Sequence, residues 1–234
     1  MSEQPTTILT DDQTGLRIDN CVTSGTFSLD GGTWEVDNNV WIIGNGVECA
    51  VIDPAHNPQA VVDAVAGRTI THVLLTHGHD DHIAAVREFV ELAGTDAQIY
   101  MHPEDLVLWR KVFSDGSEPE PLEDNQHVVA GTAALTVLHT PGHSPGSVCL
   151  YAPALGEAGD DGAPTGVVFS GDTLFQGGPG ATGRSYSDFD TIIESIRERL
   201  FPLPEATVVH TGHGDSTTIG TEKPHLQEWI DRGH

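Results

Sequence analysis

The sequence predicts an α/β fold in which two groups of strands are covered by helices. Three observations point there. Short apolar runs alternate with helix-period segments in both halves of the 234-residue chain. Thr71-His72-Val73-Leu74-Leu75 is a near-continuous apolar strand, as in a sheet buried on both faces. No Gly-x-Gly-x-x-Gly directly joins a strand to a helix and there is no Walker loop, so the usual nucleotide-binding turns are missing. Two mixed sheets packed together under helices fit this alternation. A doubly wound sheet fits it too, and pattern alone leaves both open. The length suits one large domain of two layers, or two tightly fused half-domains.

The elements follow in order. Residues 1–12 are polar and acidic and read as a disordered tail, leaving 13–234 as a single domain. Thr26-Phe27-Ser28-Leu29, Trp34-Glu35-Val36, Val40-Trp41-Ile42-Ile43 and Ala50-Val51-Ile52 read as short strands. Gly31-Gly32, Asn38-Asn39 and Gly44-Asn45-Gly46 punctuate them as turns. Pro58 to Ala66 reads as a helix. Ile83, Val86, Phe89 and Val90 recur at helical spacing, which predicts a helix from Asp81 to just before Gly94. Gln98 to Met101 is a strand and Glu104 to Val112 a helix. Further on, Leu135 to His139, Ser147 to Tyr151, Val167 to Phe169 and Thr207 to Val209 read as strands. Phe189 to Leu200 and His225 to Asp231 read as helices. Three loops interrupt the pattern. Pro153 to Thr165 is expected to be a disordered hairpin tip. Ser114 to Asn125 and Gln176 to Ser187 are long enough to border a site.

Composition narrows the function. There are 35 acidic residues against 10 basic, a formal net charge of -25. That field repels nucleic acid and anionic membrane, so neither is expected as a partner. Few of these carboxylates can be ligands, so most are solvated surface. No run approaches the roughly 18 apolar residues of a membrane span. The N-terminus lacks the basic start and apolar stretch of an export signal, so the expected location is the cytoplasm. Cys21, Cys49 and Cys149 are odd in number and widely spaced, which gives no disulfide framework. The 13 histidines, by contrast, gather in short polar motifs.

Thr76-His77-Gly78-His79-Asp80-Asp81-His82 is the strongest of these motifs. It follows a buried strand and precedes a helix. His77 and His79 are two apart in a Gly-containing loop, so both rings can turn to one side. Asp81 and His82 are consecutive at the helix start, so they are expected to diverge and to serve a second metal. Imidazole and carboxylate donors suit zinc, iron or manganese. His143 in Thr140-Pro141-Gly142-His143, Asp172 in Gly171-Asp172-Thr173-Leu174-Phe175 and His213 in Gly212-His213-Gly214 each lie at a strand end among glycines. With the first cluster they become candidate ligands. His56, His72, His102, His127, His139, His210 and His225 are not expected to ligate.

In combination, His-x-His-x-Asp-His, Thr-Pro-Gly-His, Gly-Asp-Thr-Leu-Phe and Gly-His-Gly resemble the signature of metallo-β-lactamase-fold hydrolases, with most likeness to the glyoxalase II-like branch. The resemblance runs from about Val40 to Ile219. It implies an αββα sandwich of two mixed β-sheets flanked by helices, with the site at the edge between the sheets. It implies two divalent metal ions, zinc foremost and iron or manganese open. His77, His79 and His143 would hold one, and Asp81, His82 and His213 the other, with Asp172 bridging. Asp53 matches the family's aspartate that orients a ligand. Arg184 matches an arginine that braces the metal ligands, for which a buried carboxylate partner is expected; the alternative is that it meets a substrate carboxylate.

The implied activity is hydrolysis of a small-molecule thioester, an acyl conjugate of a small thiol, by a hydroxide shared between the metals. Asp81 would orient that hydroxide as well as ligate. A persulfide dioxygenase using one iron, a lactonase and a β-lactamase use the same frame. The full second ligand set favours hydrolysis. Two departures leave the thiol open. The helical domain that binds glutathione in true glyoxalase II enzymes is not seen after His213. Pro224-His225-Leu226 stands where that family has an Asn-Pro pair. The oligomeric state is open as well.

Overall fold

Alternating polarity and turn residues in the first 122 residues fold into a sheet whose strands follow chain order. The computed structural model describes residues 5–11, 15–156 and 164–233. They form two compact units, one running to Leu122 with Val129–Ala133, the other Glu123–Val128 with residues from Ala134 onward. In the first, β1 (Thr6–Asp11), β2 (Leu16–Leu29), β3 (Gly32–Gly44), β4 (Glu48–Ile52), β5 (Thr69–Leu74), β6 (Gln98–Met101) and β7 (Glu120–Pro121) make a seven-stranded sheet. The pairings from β1 to β4 are antiparallel and those from β4 to β7 parallel. Parallel neighbours need crossovers. These are supplied by α1 (Pro58–Val65) after β4, α2 (Asp80–Ile83) and α3 (Val86–Ala93) after β5, and α4 (Leu106–Val112) after β6.

Local chemistry sets the helix ends. The Asn57 side chain accepts from Ala60 N–H and Pro58 opens α1, while α3 stops on left-handed Gly94. Val61 and Val65 of α1 and Val86 and Phe89 of α3 pack with Val51, Val73 and Leu75 in one buried cluster. Each such side chain contributes about 1.5–3 kcal/mol by leaving water. This packing anchors β4 and β5, and the candidate ligand loops start at their C-terminal ends.

The second unit centres on a sheet ordered β15, β14, β11, β10, β9, β8. Its strands are β8 (His127–Ala130), β9 (Ala133–His139), β10 (Val148–Ala152), β11 (Val167–Gly171), β14 (Val208–Thr211) and β15 (Thr217–Thr218). β11 and β14 are parallel, whereas β10 is antiparallel to both β9 and β11. β12 (Leu174–Phe175) and β13 (Gly178–Pro179) form a separate small ribbon. The helices are α5 (Phe189–Ser195), α6 (Ile219–Glu222) and α7 (Leu226–Arg232). Ile192, Ile193, Ile196 and Leu200 pack with Cys149, Val168, Val209 and Trp229 in a second buried cluster. Both sheets are mixed and both carry helices, which is the α/β class the sequence predicts.

Several expectations need correction. Thr6–Asp11, expected within a disordered tail, is paired strand β1. The rest of that tail, residues 1–4 and 12, lies outside the described residues, as do residues 157–163 of the expected disordered hairpin tip. Asn38-Asn39 is not a turn. Both residues are buried inside β3, so β2 and β3 are one long hairpin turning at Asp30-Gly31. The expected helix from Asp81 is two short helices. Among the described residues, no helix is long and apolar enough to cross a membrane.

Candidate metal centre

In the first unit the chain leaves β5 at Leu74 and makes the loop that carries His77 and His79. Two buried carboxylates shape this loop. Asp53, just past β4, accepts from Thr76 N–H at 2.8 Å and from Thr76 Oγ1 at 2.6 Å. Asp105 accepts from Gly78 N–H at 2.7 Å. Gly78 is needed for close approach: a Cβ there would stand 2.9 Å from Leu108 Cβ and 3.1 Å from the Asp105 carbonyl oxygen. The loop therefore presents its histidines inward, with His77 1% and His79 5% exposed. Their rings meet edge to face, with centroids 4.8 Å apart. The His77 and His82 rings lie 4.1 Å apart.

α2 supplies the next two donors. Asp81 and His82 were expected to diverge, but Asp81 Oδ2 lies 3.4 Å from His82 Nε2. The two side chains converge. His82 Nδ1 donates to Asp53 Oδ2 at 2.9 Å, which leaves Nε2 as the donor atom facing Asp81. Asp53, His77 and His82 each offer a ligand atom within 4.8 Å of the others. Asp53 is the least suited to ligate, because its oxygens already accept from Thr76 and His82. Those contacts are suited to orienting Thr76 and His82. Phe27 of β2 lies against His79, with ring centroids 5.1 Å apart.

In the second unit three strand ends deliver His143, Asp172 and His213. Gly142, at φ +132°, passes so close to α5 that a Cβ would stand 2.3 Å from Ile192 N. His143 Nδ1 donates to the Ala181 carbonyl at 2.9 Å, so its Nε2 is also left forward. That carbonyl belongs to the Gly-rich loop after β13. Gly180 in this loop packs on the Asp172 backbone, where a Cβ would fall 1.8 Å from the carbonyl oxygen. Asp172 Oδ2 then lies 3.5 Å from His143 Nε2 and 3.3 Å from His213 Nε2. Arg184 is exposed, with its backbone N–H bonded to Ser187 Oγ at 3.1 Å.

These spacings suit a metal. Two ligand atoms about 2.1 Å from one tetrahedral ion stand about 3.4 Å apart. A direct hydrogen bond would bring them nearer, to about 2.7–3.2 Å. The separations here, 3.3–3.5 Å, match ligands of a common ion in both units. The donors are imidazoles fixed with Nε2 forward, together with carboxylates, which is the chemistry zinc, iron and manganese take. Sequence reasoning missed Asn38, whose Nδ2 donates to Asp81 Oδ2 at 3.1 Å, and also missed Asp105. Neither carries a motif that could have revealed it.

The family model of the metallo-beta-lactamase superfamily matches residues 33–213. The chain belongs to that superfamily. Within this metallo-hydrolase group, one relative is the hydroxyacylglutathione hydrolase GloC of Haemophilus influenzae. It is 31% identical over 187 residues, covering 74% of this chain and 84% of GloC. The di-iron-bound form of TTHA1623 superposes with a TM-score of 0.68 at 31% identity, over 86% of this chain and 96% of that one. The B3 metallo-beta-lactamase BLEG-1 gives 0.66 at 31% identity, over 87% and 98%. The glyoxalase II-like resemblance of the motifs agrees with the GloC likeness, and the two mixed sheets with their helices are the superfamily's fold.

Proposed function

We propose that this superfamily member is a dinuclear hydrolase that cleaves thioesters of a small thiol. His77, His79 and His143 would hold one ion, and Asp81, His82 and His213 the other, with Asp172 shared. The observation that carries the reading is Asp172 Oδ2, which stands at ligand spacing from both His143 Nε2 and His213 Nε2. One carboxylate facing two imidazoles assigned to different ions is what a bridging ligand requires. Zinc is the proposed metal. The di-iron form of TTHA1623 supports iron as the alternative.

When bound, two such ions lower the pKa of a shared water to about 7 and polarise a carbonyl oxygen. The chain's own residues do the rest. Asp53 and the Ala181 carbonyl hold His82 and His143 in the tautomer that leaves Nε2 free to ligate. Asp81 can accept a proton from the attacking water and orient it. A thiolate leaves without protonation, so the mechanism assigns no general acid. Likeness to GloC supports the thioester. The charge of -25 argues against nucleic acid and is compatible with a small-molecule substrate.

A β-lactam is the second reading, favoured by the likeness to BLEG-1. The test is a matched rate series with the dimetal protein on acyl-glutathione, acyl-cysteine, a lactone and a β-lactam, with metal content measured on the same sample. Thioester turnover with about two metals per chain is expected. Lactone or β-lactam turnover exceeding every thioester about tenfold would sink the substrate assignment.

A further inference from the structure

The five-residue loop from Asp53 to Asn57, between β4 and α1, contains two non-glycine residues in the left-handed region, Asp53 at φ +49° and His56 at φ +52°. L-residues seldom adopt that region, and Asp and His are among those that do so most readily. Asp53 has an evident task, since it holds His82. His56 is three residues further on and belongs to neither proposed ligand set. Its ring is nevertheless placed with care. It lies on Gly25 of β2, where any Cβ would fall 2.1 Å from His56 Nδ1. Its Nε2 bonds to Asn38 Oδ1 at 2.7 Å. Asn38 is fully buried in β3 and passes its amide to Asp81 Oδ2 at 3.1 Å.

The direction of this relay follows from the donor inventory. A carboxylate accepts, so the Asn38 side that faces Asp81 must be its NH2. Its carbonyl then faces His56 and can only accept. Nε2 of His56 therefore carries a proton and donates. We propose that His56 is a positioning residue: through Asn38 it fixes the rotation of the Asp81 carboxylate. One loop would then hold both consecutive ligands of α2, His82 directly through Asp53 and Asp81 at one remove through Asn38. The inference rests on the dinuclear reading above, and it deepens that reading by assigning support to one ion alone.

The test uses the full chain and zinc alone, titrated against a chromophoric chelator, with the melting temperature of the metal-free protein measured alongside. His56→Phe keeps a ring over Gly25 and removes the donor. It should weaken one of the two zinc equivalents by about tenfold, the low end of the range for a partner behind a ligand, and leave the other unchanged. Asn38→Ala should weaken the same equivalent by about 10- to 100-fold. His56→Gln restores an N–H donor and should recover most of the loss. Both constants within twofold of wild type in His56→Phe and Asn38→Ala would overturn the relay. So would an equal weakening of both equivalents accompanied by a lower melting temperature, which would mark a merely structural role. A wild-type protein that binds only one equivalent overturns the dinuclear reading itself, and the relay falls with it.

Discussion

Asp53→Asn separates geometry from proton placement. Asparagine is nearly the same shape and tolerates the left-handed backbone that Asp53 adopts. The Thr76 N–H can only donate, so the asparagine oxygen must stay at the Oδ1 position, 2.8 Å from it. The new NH2 then takes the Oδ2 position, 2.9 Å from His82 Nδ1. Two donors cannot face each other. His82 must flip to the tautomer with a bare Nδ1, which puts its proton on Nε2, the atom assigned to the metal. Changes in such partners weaken metal binding about 10- to 100-fold, equivalent to about 1.4–2.7 kcal/mol. The fold should lose less, about 1–2 kcal/mol, since one charge-assisted bond becomes a neutral one. Chelator competition with zinc reads the first quantity and urea unfolding of the metal-free protein the second. If Asp53→Asn keeps both metal equivalents within twofold of wild type, the tautomer argument is refuted.

Asp172→Ala should lower the occupancy of both metals and abolish turnover, whereas His139→Ala, whose Nε2 bonds to the Pro145 carbonyl, should leave metal content intact; elemental analysis compares them. Gly180→Ala forces a Cβ to 1.8 Å from the Asp172 carbonyl oxygen, so the loop must move. It should cost about 1–3 kcal/mol by thermal denaturation and carry the Ala181 carbonyl away from His143. Burial pushes His210 down from 6.5 to about 4, and Nδ1 holds Ser216 Oγ at 2.8 Å. Its folded value lies below its unfolded one, so the unfolded chain binds more protons between them. Stability is then lost as pH falls from 6.5 to about 4, by up to about 3 kcal/mol from this group. His210→Gln should flatten the melting temperature over that window relative to wild type, and unchanged steepness would contradict the assignment.

The ligand candidates were legible because their chemistry is local. His77 to His82 lie within one turn and a helix start, and His143, Asp172 and His213 each carry glycines, of which Gly142 makes the close approach expected of it. The supporting groups were not legible. Asn38 is 43 residues from Asp81 and 18 from His56, and an Asn-Asn pair in a sequence signals a turn. Only the sheet register, which sets Asn38 opposite Thr23 inside the hairpin, turns it towards the ligand loop. His56 was set aside as a ligand, and nothing in the sequence says that its ring covers Gly25. β1 was missed for a similar reason. Its exposed residues lack the alternation that marks a half-buried strand, and only pairing with β2 creates it.

That outer strand bears on how copies of the chain avoid one another. β1 closes one side of the seven-stranded sheet, and its register slips between Thr7 and Leu9, leaving Ile8 45% exposed. A slipped register bends a strand and interrupts the row of backbone groups it offers outward. The irregularity therefore works against strand-to-strand addition at the end of the sheet where Leu16 and Ile18 of β2 lie buried beneath a short cover. A chain trimmed past Asp11 would uncover that length of β2. The cost would fall on colloidal behaviour during expression and storage, with the ligand loops at β4 and β5 left as they are.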